Sequence, residues 1–583
     1  MLLGGVAGFL FVACGSRSEL VDGETTIVVG DAQPDQTTTD VKPDVDARRD
    51  GDAPFDAPPD GPLVEGGKLD VQVDCDEPAY CDPRDLGYVY QCGVRVFQCS
   101  SLEECKEGKC VNPCVDTLGE DTSNGCEFYA NEVDVTNTDT QSAKGACFAV
   151  FIVNQWKTGE PAKIQVDRAG TTLPVEQFAR IPTGTGTGIT YAPYSNTTGL
   201  AKDEIAILFL SRDPNAVNNG STSPGALAGC PAGVTPAVLS DSGISGTGVG
   251  TAFHIKTNVP VVGYQIYPYG GGRARITSAT LLLPTNVWGT NYVAANAYAR
   301  STALGNDPTI NDSAGTLAIL AQADNTHVTI NPVTSILAGG SLAGTAANTP
   351  VTYIVDKGEY LQFSQNVELT GSAIQSDNPI AIVGGNRLMD VPVTQASRAD
   401  AAQQMLPPVS ALGSEYVGIR YRSRTRNVLD TDPAGEEIVP WRIVGVVDGT
   451  TLTFDPPVAG APTTVNSRQF VEFNARGPFV VSSQDASHPF YFAQYMTGGK
   501  TFGPIEPSGD PMNPNSLGGG EGDPEFVNVI TPKQFLPRYT FFTDPTYPET
   551  NLVVTRVKDP TLGFPDVALD CAGSLTGWVN VGT

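Results

Sequence analysis

The sequence predicts an all-β protein built from repeats, on three observations. Gly, Val and Thr dominate, and long amphipathic stretches rich in Leu, Lys and Glu are missing. From about Gly125 onward, short apolar runs alternate with Gly, Pro, Asn and Asp turns. One block also recurs three times, and internal recurrence outweighs any single strand assignment.

That block is Ala252-Phe-His-Ile-Lys-Thr-Asn-Val-Pro260-Val-Val-Gly-Tyr-Gln, then Ser372-Ala-Ile-Gln-Ser-Asp-Asn-Pro379-Ile-Ala-Ile-Val-Gly-Gly, then Pro478 to Gln494 around Pro489. Each copy reads as a strand, a polar turn closed by proline and a second apolar strand, and so predicts a hairpin. A second block follows it: Leu283-Pro284 to Gly289 and Tyr292 matches Pro407-Pro408 to Gly413 and Tyr416, with a degraded copy from Thr531-Pro532 to Tyr539. A third pairs Leu317–Ile330 with Trp441–Phe454, where Asp324-Asn325 and Asp448-Gly449 are hairpin-turn signals. A further hairpin is expected around Tyr353 to Phe363 and toward Phe470 to Phe473. The unit is therefore about eight strands in two four-stranded halves, recurring about every 110 to 125 residues. Phe148 to Val166 resembles one half, and Leu552 to Ala568 starts another. Leu575-Thr-Gly577 echoes Leu369-Thr-Gly371. The pattern stops midway, which predicts that the natural chain continues.

Two architectures fit. Four-stranded sheets in series make the blades of a β-propeller, whose ring protects strand edges. Tandem β-sandwiches are the alternative. The propeller-like ring is favoured, because no Pro- or Ser-rich linker separates the units.

The rest of the chain divides as follows. Residues 1–13 are apolar and too short to span a bilayer, which fits a signal peptide. Leu10-Phe-Val-Ala-Cys14 resembles the lipobox of bacterial lipoproteins, with Phe11 where Leu is usual; the resemblance implies cleavage before Cys14 and acylation of its thiol. No Lys or Arg precedes the apolar run, so the true start is expected upstream. Residues 14–70 interleave Asp31, Asp35, Asp40, Asp44, Asp46, Asp50, Asp52, Asp56 and Asp60 with prolines. Like charges repel and proline stiffens, so the segment reads as a disordered acidic spacer. It lacks the Gly and terminal Glu of a calcium loop.

Residues 71–126 hold Cys75, Cys81, Cys92, Cys99, Cys105, Cys110, Cys114 and Cys126. A dense, even cluster after an export signal predicts a disulfide-rich module, because so short a segment cannot bury enough apolar surface alone. Zinc is disfavoured: no Cys-x-x-Cys pair or nearby His occurs. Connectivity stays open. Cys147 with Cys230 is the simplest long-range pairing, leaving Cys571 to a partner beyond this chain. Residues 127–583 form the β-repeat domain.

The blocks after Gly125 resemble the IgGFc-binding protein N-terminal domain family, known from an animal mucus protein and many bacterial surface proteins. The matching residues are Gly125-Cys126-Glu-Phe-Tyr-Ala, Asp324-Asn-Thr-His-Val-Thr-Ile, Leu369-Thr-Gly with Asp377-Asn-Pro-Ile-Ala-Ile-Val-Gly-Gly, and Gln403-Gln-Met-Leu-Pro-Pro408 with Gly413-Ser-Glu-Tyr-Val. The resemblance covers about residues 125 to 583. Family members near Gln403 often carry His after Asp; here Ala401 follows Asp400. Immunoglobulin binding belongs to the animal protein and is not carried over.

No catalytic, cofactor or metal site is predicted. Net charge is −29, from 35 Lys and Arg against 64 Asp and Glu, which excludes a nucleic-acid partner. His254, His327 and His488 lack zinc spacing. Asp241-Ser242-Gly243 matches the short aspartic-protease signature, but a dyad needs a second carboxylate and no second copy occurs, so a surface loop is expected. The glycine-rich tracts at Gly184 and Gly246 lack a βαβ context and read as loops. Trp156, Tyr267, Tyr269 and Trp288 read as packing between sheets. The function expected is a non-enzymatic binding or adhesion lipoprotein at the outer membrane or cell surface, held by its lipid anchor and presenting loops to an extracellular protein or glycan. A secreted glycan-active hydrolase on a propeller is the alternative.

Overall fold

The computed structural model describes residues 30–31, 67–69, 77–82, 85–115, 122–137, 143–184, 188–216, 229–270, 276–298, 313–391, 399–422, 437–497, 505–507, 517–519, 524–536, 538–539, 541, 552–559, 563–569 and 572–582. The expected signal peptide, Cys14, nearly all of the spacer, Cys75 and Cys571 lie outside these residues.

The described chain is all-β, and three successive units share one strand order. Each begins with an opening strand: Asn124–Ala130, Gly289–Val293 or Glu415–Gly418. Each is organised by a spanning strand, Phe253–Tyr267 in the first unit and Ala373–Met389 in the second. The third unit breaks it into Phe479–Ser483 and Phe490–Met496. The first half of the spanning strand lies between the opening strand and Ile164–Arg168, Thr326–Asn331 or Thr450–Asp455. Its second half lies between Phe148–Asn154, Gly315–Ala321 or Val439–Gly445 and a closing strand. The closing strands are Ser278–Leu282, Asp400–Leu406 and Glu525–Asn528. In the first two units the spanning strand joins both sheets into one, which curls into an open half-barrel.

The proline-closed block is therefore not a hairpin. Pro260 and Pro379 lie inside continuous strands whose halves bond to different partners. Proline removes one ladder donor but keeps an extended φ, so a strand can kink there and continue. The same holds for Asp324-Asn325 and Asp448-Gly449. Asn325 and Gly449 do adopt the left-handed backbone that a tight turn requires (φ 53° and 71°). The flanking strands, however, cross to opposite sheets instead of pairing.

The second sheets of the units stack face to face. Strand Gly315–Ala321 sends Ala318 and Leu320 into a core shared with the first unit, which includes Phe128, Phe148 and Ile152. Leu317, Ile319 and Ala321 enter a second core shared with Tyr491, Ala493 and Phe526 of the third unit. Burial on both faces explains why this strand is an uninterrupted apolar run without alternation. The units are thus not separate sandwiches on linkers. A closed ring of blades is not described by these pairings.

A repeated joint locks neighbouring units. Each opening strand has a glycine, within it or two residues ahead of it, against the residue that caps a short 3-10 turn one repeat later. A Cβ on Gly125 would lie 2.2 Å from Pro284, one on Gly289 2.6 Å from Pro408, and one on Gly413 2.5 Å from Thr531. Three residues on, the Tyr292 hydroxyl accepts from Gly289 N–H (3.0 Å) and donates to Ile380 O (2.6 Å). Tyr416 does the same between Gly413 (2.8 Å) and Phe490 (2.6 Å), and Tyr539 accepts from Leu536 N–H. Between the second and third units, buried Arg442 bonds Glu368 (2.7 Å) and Glu472 (2.6 Å) and stacks on Tyr298, Phe470 and Tyr495.

The N-terminal module is a small sheet of Tyr80–Asp82, Asp85–Gln91, Val94–Gln98 and the short strand Gly67–Lys68. It is stapled by Cys81–Cys105 and Cys99–Cys110, and Cys92 is likewise disulfide-bonded. Cys114–Cys126 fastens the module to the first opening strand. Trp156 Nε1 and Thr158 Oγ1 both donate to Ser101 O (2.8 Å each) and seat it on the first unit. No helix among the described residues is long and apolar enough to cross a membrane.

Candidate functional site

Seven residues after its glycine, each opening strand crosses between sheets and needs a polar group to satisfy the exposed backbone. The second unit uses Asn296, whose side chain donates to Thr316 O (2.5 Å) and accepts from Leu369 N–H (2.7 Å). The third unit uses buried Arg420, bonded to Tyr421 O (2.9 Å). The first unit places Glu132 there, 2 % exposed. Its Oε2 accepts from Ser211 Oγ (2.6 Å), Ser242 N–H (3.1 Å) and Ser242 Oγ (2.5 Å). Its carboxyl is also hydrogen-bonded to Asp241 and to the Tyr267 hydroxyl. Burial first, and then the Asp241 carboxylate, push Glu132 far above the usual carboxylate range, so it keeps its proton at neutral pH.

Asp241 faces a narrow crevice lined by Val133, Val135, Ile244 and Tyr267 as well as the two acids. There Lys144 Nζ lies 3.2 Å from Asp241 Oδ2 and donates to Ser245 Oγ (2.9 Å). Asp134, on the same wall, is 3.5 Å from Arg387 of the second unit. The crevice therefore holds a proton-sharing carboxyl pair with an amine against it. A glycosidase spaces its carboxyls roughly 5 to 10 Å apart to admit a sugar bond and water; these two touch.

The loop expected at Asp241-Ser242-Gly243 is present but is not a surface loop, since Ser242 is buried. The second carboxylate, absent as a repeated motif, arrives from Glu132. The only signal for it was an acid alternating with Val133 and Val135 in a buried stretch.

His254 stacks flat on Tyr129 (4.3 Å between rings) and pairs with Glu127 (2.5 Å). That hydrogen bond holds Glu127 below the usual carboxylate range. His327 pairs with Asp377 (2.9 Å) beside the kink of the second spanning strand, and His488 with Asp485 (2.7 Å) on the turn that breaks the third. No group of three or more His, Cys, Asp or Glu among the described residues is arranged to hold a metal ion. Trp156 anchors the module, Tyr267 and Trp288 pack in the first core, and Tyr269 packs on Phe209 and Phe151. Cys147 is bonded to Cys230.

A family model described as IgGFc binding protein matches residues 278–583. The match opens on the first closing strand, so residues 124–267 carry the same strand order outside it. Neither the curated proteins nor the solved structures contain a match.

Proposed function

The chain belongs to the IgGFc binding protein family, and on that ground we propose that it is a non-enzymatic binding protein of the cell surface. Cys14 carries the lipid anchor, the acidic spacer holds the body off the outer membrane, and the β-repeats present loops to an extracellular protein or glycan. The observation carrying this is the family match across more than half of the chain. The disulfides support an exported location. The binding face is the rim where spanning strands kink, at Asp377 and Asp485, since this position recurs from the second unit to the third and exposes charge in both.

The same reading includes a propeller-like ring of second sheets. It is supported by two contacts that return to the first unit: Ser278 Oγ donates to Glu525 (3.0 Å), and Arg538 pairs with Asp203 (2.7 Å).

The test is an array of extracellular proteins, immunoglobulin Fc included, and of glycans, probed with the purified chain and with Asp377→Ala/Asp485→Ala. Saturable binding weakened by the double variant supports the reading; turnover of a glycan overturns it. Palmitate labelling lost in Cys14→Ala, with release from the membrane fraction, tests the anchor.

A further inference from the structure

The crevice in the first unit has a chemical composition that its position in the fold does not require. Asn296 fills the equivalent seat in the second unit with two hydrogen bonds and no charge. The first unit instead brings together a protonated carboxyl, a second carboxylate and a primary amine, against Val133, Val135, Ile244 and Tyr267. We propose that Lys144 and Asp241 condense into an intramolecular isopeptide bond, with Glu132 as the proton-transferring residue.

The geometry places the amine beside the carboxyl it would attack. Lys144 Nζ stands 3.2 Å from Asp241 Oδ2 and donates to Ser245 Oγ at 2.9 Å, so the approach to Asp241 Cγ, productive at about 3 to 3.5 Å, needs only a local shift of the amine. Glu132 is hydrogen-bonded to the Asp241 carboxyl, and three donors on Oε2 immobilise it. Its retained proton suits a general acid at neutral pH.

The step balances without a cofactor. The Lys144 ammonium gives one proton to the Asp241 carboxylate, and the freed Nζ lone pair attacks Asp241 Cγ. Glu132 protonates the developing oxyanion, and the Nζ–Cγ bond forms as a Cγ–O bond breaks. Water leaves, and Glu132 recovers its proton from the attacking nitrogen. An ammonium and a carboxylate become one amide and one water. In bulk water this condensation is unfavourable, but effective molarities of about 10⁵ to 10⁸ M for fixed neighbours reverse the balance. The product ties the stretch before strand Phe148–Asn154 to the loop after Cys230, the same two stretches that Cys147–Cys230 joins, by a bond that reductants cannot open.

Intact-mass spectrometry of the reduced full chain decides. The expected mass is one water below that of the processed chain, with a branched tryptic peptide joining residues 144 and 241. Asp241→Asn should lose one ammonia instead, and Lys144→Arg should show no loss. Glu132→Gln, which the amide of Asn296 shows the seat to tolerate, should fold with its full mass. A wild-type chain at full mass, with Lys144 open to acetylation once denatured, overturns the proposal. Loss of water that persists in Glu132→Gln overturns the role given to Glu132.

Discussion

Gly289 and Pro408 meet so closely across the joint between the second and third units that a Cβ on the glycine would stand 2.6 Å from that of the proline. The contact recurs as Gly125 on Pro284 and Gly413 on Thr531, so it belongs to the repeat. Gly289→Ala and Gly413→Ala should each cost about 1 to 3 kcal/mol by overpacking. Gly188→Ala, with nothing within 4 Å, should be neutral. Urea unfolding of the three variants checks this, and equal midpoints would refute it.

The tyrosines beside those glycines bridge two backbone groups each. Tyr292→Phe and Tyr416→Phe leave Gly289 N–H and Gly413 N–H without the hydroxyl that accepts from them. Each should lose about 1 to 3 kcal/mol, the cost of an unsatisfied buried group. The first unit has Phe128 at this position, and Phe128→Tyr should bring no comparable gain. Thermal melts of the three variants measure the difference.

Burial raises Glu525 to about 8 from an ordinary value near 4.5. The folded state therefore binds this proton more tightly than the unfolded chain does. Its contribution is fully present below about pH 4.5 and falls by about 1.4 kcal/mol per pH unit until it is gone above about pH 8. Glu525→Gln should flatten the decline in melting temperature between about pH 5 and pH 8. An unchanged slope would contradict the assignment.

Arg442 is 1 % exposed in its side chain and answers two carboxylates, Glu368 in the connection before strand Ala373–Met389 and Glu472 on strand Phe470–Ala475. Arg442→Ala strands the nearly buried Glu368 and should cost about 3 to 5 kcal/mol, while Arg442→Met, which keeps the apolar volume, should cost less. Fluorescence of the adjacent buried Trp441 reports the unfolding of this region in denaturant.

The repeat was legible because its punctuation is local. Pro260, Pro379 and Pro489, the Asp-Asn and Asp-Gly turns, and the glycine-tyrosine spacing all stand in sequence where the structure uses them. What could not be read was which sheet the next strand joins. A turn at Asn325 needs the same left-handed backbone whether its strands pair or part, and only the two-faced burial of Leu317 to Ala321 decides between them. The crevice was half legible. Asp241-Ser242-Gly243 was visible as a motif, whereas Glu132 lies more than a hundred residues earlier and is brought to it only by the crossing of the first opening strand. Asn296 marks that crossing in the second unit, but the equivalence of an acid and an amide emerges only when the strands are aligned in space.

The Cys114–Cys126 bond gives the body a handle. Tension from the N-terminal side is delivered covalently into the first opening strand, bypassing the weaker seat of Trp156 on Ser101. Under oxidising conditions the module cannot peel away before the strand itself yields; once reduced, the bond no longer carries load directly into that strand.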